Sequence, residues 1–377
     1  MLKKITAIIL MTVSLLMPFG AEAVNDITPT AKSAVILDAA SGAVLYSKNM
    51  NERLGMASTT KIMTGILALE HGSLSDVYKV PEDDYWVEGS SLYLNPGENV
   101  SLETLVYGLL LKSGNDAALA IARHVSGSEK AFVALMNEKA KELGLENTKF
   151  ANPHGLYAED HYTTAFELAR LAAYAMQNPV FAEIVKTAYH KETPVDEERN
   201  GRMIKNANKL ISLYAEADGV KPGFTPETGR TLVGSATKDG IKVITVTLDC
   251  ENDWEEHKNM FDYAFNNFKR ITLLKKGDSV GTFRIKKGNY HEVGAVIDRD
   301  VTLLVNKNET PEYEVKMEAE PLTAPIVSGQ YIGKAKICFA DGIEHNVNVL
   351  ANSDVPLRDK NFFRIIGRLF LALFGLD

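Results

Sequence analysis

The stretch MASTTKIMTGILALE, residues 56–70, decides how the rest of the chain is read. Ser58, Thr59, Thr60 and Lys61 form the pattern S-x-x-K. From Thr59 to Glu70 apolar residues recur at helical spacing, and Gly72 marks the stop. Ser58 therefore stands where an extended segment meets an apolar helix. A serine hydroxyl is a poor nucleophile until a base takes its proton. A lysine three residues later on a helix brings its amine to the same face, over that hydroxyl. A free lysine titrates at about 10.4 and would be protonated, so the base works only where burial or a second cation lowers its pKa. A serine at a helix N-terminus also has backbone N–H groups nearby, which favour developing negative charge.

Two further motifs follow in order. Ser113-Gly114-Asn115 is an S-x-N in the break between two helical stretches, and Lys221-Pro222-Gly223 is a K-x-G ahead of a β-hairpin. Ser113 suits proton relay to a leaving group, and Asn115 suits holding a substrate amide. Lys221 serves as the second cation that keeps Lys61 neutral and as an attractor for a substrate carboxylate. No single motif is specific. S-x-x-K recurs at Ser235–Lys238, S-x-N at Ser47–Asn49, and K-x-G at Lys238, Lys275 and Lys286. Taken alone, Ser58 and Lys61 would read as an N-cap serine and a solvated helical lysine. Order, spacing and helix context set the three motifs apart.

Working outward, Ser33 to Leu37 and Ala43 to Tyr46 read as strands around the turn Ala40-Ser41-Gly42. Helices are expected over about 102–112, 117–125, 132–143 and 164–176, with a short one at 208–213. A polar loop runs from Asn147 to Asp160. A hairpin joins Thr231–Ala236 to Lys242–Leu248, and a helix from about Trp254 to Phe268 follows. Strands, helices, strands and helix make a layered α/β or α+β domain over 24–270. From 275 to 355 helical periodicity is absent and short runs alternate with turn residues, which predicts a small all-β domain. In the last segment, 358–377, Lys360, Arg364 and Arg368 fall on one stripe of a helix. Phe362, Phe363, Ile365, Ile366, Leu369, Phe370, Leu373 and Phe374 fill the rest. That pattern predicts an amphipathic helix lying on a membrane surface, too short and too charged to span it.

At 377 residues the chain exceeds one average domain. Its net charge of −8 argues against nucleic acid as a partner. Lys3 and Lys4, the apolar run Ile5 to Phe19 and Ala21-Glu22-Ala23 read as a signal peptide over residues 1–23, with cleavage after Ala23. The two cysteines, Cys250 and Cys338, lie in different candidate domains outside any C-x-x-C, so free thiols are expected. His154 and His161 flank Glu159 and Asp160 in what reads as a polar loop rather than a zinc site. No cofactor or metal is expected.

Together the motifs resemble the set found in penicillin-binding proteins and class A β-lactamases. The chain resembles low-molecular-weight penicillin-binding proteins of the penicillin-binding protein 5 type, which are D-alanyl-D-alanine carboxypeptidases. Residues 56–70, 111–122, 150–162 and 218–236 carry the likeness. The resemblance implies a serine β-lactamase/transpeptidase-like fold, a following β domain and a terminal membrane anchor. It implies an enzyme outside the cytoplasmic membrane that removes the terminal D-Ala from peptidoglycan stem pentapeptides through an acyl-serine intermediate, which β-lactams trap. By the same resemblance Ser58 is the nucleophile, Lys61 its base, and Ser113, Asn115 and Lys221 complete the site. The backbone N–H groups of Ser58 and of Phe224, which follows Gly223, form the oxyanion hole. Glu167 matches a carboxylate that the family carries after its H-G-L loop.

The departure is Pro222, where the family has threonine. That hydroxyl helps bind the substrate's terminal carboxylate. Proline brings neither hydroxyl nor N–H and fixes φ near about −65°. A hydrogen bond to a charged group contributes about 1.5–3 kcal/mol, or roughly 10- to 150-fold in rate or binding. Thr225 and Arg230 are the candidates for a replacement contact. Two other readings compete. One is a peptidoglycan-binding protein with a vestigial site, motivated by Pro222. The other is a β-lactamase-like hydrolase, against which stand the missing E-x-x-L-N and S-D-N patterns.

Overall fold

The structure is a computed structural model that describes residues 27–82, 86–318, 322–339, 344–358, 366 and 370–373. Strand β1 (Ser33–Asp38) is buried along its whole length. Its side chains alternate between two cores: Val35 and Leu37 join one apolar cluster, Ala34 and Ile36 the other. That period-two division marks a central strand covered on both faces. Strand β2 (Val44–Lys48) pairs with it antiparallel. A 3₁₀ turn at Ala57–Thr60 then runs straight into α1 (Lys61–His71).

A short antiparallel pair, β3 (Val77–Lys79) and β4 (Asn99–Ser101), precedes the helical layer. Side-chain caps set where several of these helices begin. Ser101 caps α2 (Leu102–Leu110), Ser128 caps α4 (Glu129–Glu142) and Thr164 caps α5 (Ala165–Ala175), with α3 (Asn115–Ser126) between the first two. Asn178 caps α6 (Pro179–Lys186), which carries proline in its first turn. The short pair β5 (Tyr189–Lys191) and β6 (Met203–Lys205) and the single turn α7 (Leu210–Leu213) complete the layer.

The chain then returns to the sheet as β7 (Ala217–Thr225), β8 (Gly229–Lys238) and β9 (Ile241–Leu248). The sheet order is β2-β1-β9-β8-β7, antiparallel throughout, with β7 at the edge. α1 and α5 pack on one face, and α8 (Asp253–Asn267) covers the other with Met260, Phe261 and Ala264. His257 of α8 is fully buried between the hydroxyls of Thr245 (2.7 Å) and Thr247 (3.0 Å), and burial pushes its pKa down to about 3.

Strand β10 (Phe268–Leu274) follows α8 without a break. The β region continues through β11 (Ser279–Lys286), β12 (Glu292–Ile297), β13 (Val301–Asn306), β14 (Tyr313–Glu318), β15 (Leu322–Thr323), β16 (Tyr331–Phe339) and β17 (Glu344–Ala351). Six of these strands form one sheet in the order β14-β16-β17-β12-β11-β15, while β10 pairs with β13. This region has its own apolar core, including Ala295, Ile337 and Val349. Arg270 donates to Asp38 of β1 at 2.9 Å, and Lys307 donates to the carbonyl of Phe265 at 2.9 Å, tying the two regions together.

Three features differ from the sequence reading. Lys221 precedes the β8–β9 hairpin as expected, but it also lies inside a strand, β7, which was not expected because Gly219, Pro222 and Gly223 read as strand breakers; an edge strand tolerates them. Helix α6 was not expected, its eight residues being short for a periodic signal. The short pairs β3–β4 and β5–β6 and strand β10 were also not expected. Cys250 and Cys338 are free thiols. The expected signal peptide lies outside the described residues, as does most of the terminal segment. Of 358–377, residues 366 and 370–373 are described as helical, and Ile366, Leu371 and Leu373 are exposed. Among the described residues no helix is long and apolar enough to cross a membrane.

Candidate active site

Ser58 sits in the 3₁₀ turn, directly after Ala57, whose φ of 44° is left-handed. Such a conformation in a non-glycine residue costs on the order of 1–3 kcal/mol and persists only where its surroundings enforce it. Those surroundings are visible. Thr60 Oγ1 donates to Ala57 O at 2.7 Å, while Thr59 Oγ1 and Thr231 Oγ1 both donate to Met56 O. Gly155, at φ 89°, packs against the same peptide, and a Cβ there would lie 2.0 Å from Ala57 O. His161 reinforces the turn from behind. The Ala151 N–H donates to its Nδ1 at 2.9 Å, which leaves the proton on Nε2, and Nε2 donates to Thr60 Oγ1 at 2.6 Å. Burial, then the charge of Lys61, pushes the His161 pKa down to about 4, so the ring is neutral and its tautomer fixed.

The S-x-x-K spacing acts as the sequence reading expects. Lys61 begins α1 and is 0 % exposed. Its Nζ donates to Ser58 Oγ at 3.0 Å, to Asn115 Oδ1 at 2.7 Å and to the carbonyl of His154 at 2.5 Å. Burial holds its pKa well below the lysine range, and the Lys221 charge pushes the same way, against a smaller opposing pull from Asp116. Lys221, also 0 % exposed, is lowered to about 7 by burial. Its Nζ donates to the carbonyl of Pro222 at 3.0 Å.

The second motif enters from the break between α2 and α3. Ser113, at φ 67°, turns the chain, and Asn115 opens α3. Asn115 accepts from Lys61 and donates through Nδ2 to the carbonyl of Glu88, while its backbone N–H donates to the carbonyl of Ser90. Asp116 accepts from Ser91 Oγ and from the backbone N–H groups of Leu92 and Leu94. The S-x-N turn thus anchors the loop over 86–94. Ser113 is buried, and its hydroxyl makes no hydrogen bond to Ser58, Lys61 or Lys221.

Strand β7 supplies the opposite wall. Gly223 runs against the Ser58 turn, and a Cβ there would lie 2.8 Å from Ser58 N and 3.1 Å from Thr59 N. Only glycine leaves the Ser58 N–H accessible. Phe224 follows and is 60 % exposed. Thr225 is occupied elsewhere: its Oγ1 accepts from the Thr228 N–H and bonds the Thr228 hydroxyl in the turn to β8.

Residues 20–252 match the D-alanyl-D-alanine carboxypeptidase family, and residues 268–357 match the C-terminal domain of penicillin-binding protein 5. The chain belongs to the D-alanyl-D-alanine carboxypeptidase family. It is 35 % identical to the D-alanyl-D-alanine carboxypeptidase DacF of Bacillus subtilis, over 89 % of this chain and 87 % of that one. It is 34 % identical to DacC of Escherichia coli, over 80 % of this chain and 78 % of that one. The solved structure of penicillin-binding protein 5 from Haemophilus influenzae superposes with a TM-score of 0.74 at 29 % identity, covering 89 % of this chain and all of that one.

Glu167 of α5 is engaged by the loop that begins at Asn147. Glu167 accepts from Asn147 N and Nδ2 and from Thr148 Oγ1, and so braces the start of the loop that carries His154 and Gly155. That loop was the part least legible in the sequence. His154 and His161 read there as surface polar residues, but both are buried, and Asn152 closes the loop by accepting from Gly155 N at 2.6 Å. Burial, then Lys61, then His161 pushes the His154 pKa down to about 3.

Proposed function

We propose that the chain is a serine-type D-Ala-D-Ala carboxypeptidase acting on peptidoglycan stem pentapeptides, with Ser58 as the nucleophile. The observation that carries this is the contact of a fully buried Lys61 amine with Ser58 Oγ at 3.0 Å, beside a second buried lysine that disfavours its protonation. Once neutral, Lys61 keeps its two N–H groups on Asn115 Oδ1 and the His154 carbonyl, turns its lone pair to Ser58 Oγ, and takes the Ser58 proton as Oγ attacks the carbonyl of the penultimate D-Ala. The tetrahedral oxyanion accepts from the N–H groups of Ser58 and Phe224, with Gly223 leaving the first of them open. Collapse breaks the peptide bond, and the departing D-Ala nitrogen takes a proton, with Ser113 as relay. Water then releases the tetrapeptide from Ser58. Asn115 holds a substrate amide, and Lys221 attracts the terminal carboxylate. A β-lactam follows the same path as far as the acyl-serine.

The site lies outside the cytoplasmic membrane in this reading, exported by residues 1–23 and held at the membrane surface by the basic, aromatic-rich helix of 358–377. The test is incubation with a muropeptide pentapeptide followed by mass spectrometry. Loss of one alanine is expected from the wild type and not from Ser58→Ala. An intact pentapeptide would contradict the reading in favour of a peptidoglycan-binding protein with a vestigial site.

A further inference from the structure

The ladder between β7 and β8 divides the third motif by face. Gly223 pairs with Thr231 and Thr225 with Gly229 on the face that meets the nucleophile turn, where Thr231 Oγ1 reaches Met56 O. Pro222 pairs with Leu232 and Phe224 with Arg230 on the other face, where Leu232 packs with Met260 and Phe261 of α8. A side chain at 222 therefore points to the same face as Arg230. The two positions are diagonal neighbours across the ladder, about 7–8 Å apart and within reach of a long side chain. Thr225 stands on the wrong face, and its hydroxyl is held in the turn.

Arg230 is built as a fixed cation. Its Nη2 donates to Asp253 Oδ1 at 2.9 Å, and its guanidinium lies 5.8 Å from the centre of the Trp254 ring. Asp253 is 1 % exposed, whereas the Arg230 side chain is 39 % exposed, so the pair is anchored at its acidic end and open at its basic end. Arg230 Nε is buried without a partner, so the outward donors are those on the two Nη atoms. We infer that Arg230 anchors the terminal carboxylate of the substrate, taking the place of the hydroxyl that Pro222 lacks, with Asp253 and Trp254 as the residues that position it. A guanidinium presents paired N–H donors to a carboxylate in a geometry that a lone hydroxyl cannot match. Pro222 then serves the arrangement: it sits on an edge strand, where a missing N–H is tolerated, and leaves room on its face for the arginine head.

This inference rests on the carboxypeptidase reading and sharpens its substrate requirement to a free C-terminal carboxylate. The test compares kcat/KM for a peptide ending in D-Ala-D-Ala with that for the same peptide ending in D-Ala-D-Ala amide. Wild type, Arg230→Gln, Arg230→Lys and the double variant Arg230→Gln/Asp253→Asn are compared, the last to avoid a buried unpaired carboxylate. Wild type should prefer the acid by roughly 10- to 100-fold. That preference should collapse toward one in Arg230→Gln and in the double variant, and survive in part in Arg230→Lys. Because the readout is a ratio, a general loss of folded enzyme does not move it. An unchanged preference in both glutamine variants overturns the inference while leaving the carboxypeptidase reading intact. A wild type that cleaves neither peptide overturns the reading and the inference with it.

Discussion

The nucleophile turn and the edge strand opposite it form two walls of one cleft, and they are held very differently. On the turn side, Lys61 makes three hydrogen bonds, two threonine hydroxyls converge on Met56 O, and His161 braces Thr60. On the β7 side, Lys221 bonds the neighbouring carbonyl, Pro222 has no donor, Gly223 has no side chain and the Phe224 ring faces solvent. Each wall suits a different task. Bond-making chemistry needs atoms held to a fraction of an ångström, and the proposed nucleophile sits where polar groups lock one another. Recognition is lodged on an open edge, where one residue can change without disturbing the reacting atoms. Pro222 is such a change: it lies on the face of β7 turned away from Ser58 and Lys61.

The largest expected effects belong to the turn. Ser58→Ala should lower peptide cleavage by roughly 10⁴-fold or more and remove penicillin labelling, and Lys61→Ala should lower acylation by roughly 10²–10⁴-fold. Steady-state kinetics and stopped-flow acylation measure these, and near-normal rates in either variant would break the comparison on its firmest side. On the edge strand, Pro222→Thr should leave kcat/KM for the peptide unchanged or lower it, because Arg230 already fills the place of the hydroxyl and Pro222 leaves room for its head. A rise of roughly 10- to 150-fold would show instead that the place of the missing hydroxyl is unfilled.

A smaller effect is expected behind the turn. His161→Ala leaves the Ala151 N–H without its acceptor and should destabilise the protein by about 1–3 kcal/mol in a urea titration. Penicillin acylation should slow at the same time, since Thr60 loses its brace. Acid should do something similar to the wild type. The folded-state pKa values of about 4 for His161 and about 3 for His154 and His257 lie below the unfolded value of about 6.5. The unfolded chain then binds more protons between these limits, so this stability is complete above about pH 6.5 and is lost as pH falls toward 4. Thermal denaturation across that range should show Tm dropping with pH, and a flat profile would mean that these rings are not buried neutral. Cleavage should follow a bell. It rises with pH as Lys61 becomes neutral and falls as Lys221 loses its charge near pH 7.

How much of this was legible in the sequence follows from which signals are local. Ser58, Lys61 and α1 were legible because helical spacing alone sets the reach from one side chain to the other. Asn115 and Lys221 were legible by motif, and the structure brings both to Lys61. β1 was legible as a strand, but its division between two cores shows only in the structure. What was hidden depends on contacts far apart in the chain. His161 meets Thr60 across 101 residues, and nothing in the polar stretch around it signals burial. The strand character of β7 was masked by Gly219, Pro222 and Gly223, which only an edge position tolerates. Thr225 and Arg230 looked equivalent as stand-ins for the missing hydroxyl until the register of β7 against β8 put them on opposite faces.

The most direct test of the claim that the nucleophile wall is intact is peptide mapping by mass spectrometry after brief exposure to a penicillin. We expect one covalent adduct, located on Ser58 and absent from Ser58→Ala. An adduct on another residue, or none at all from folded wild-type protein, would contradict the account.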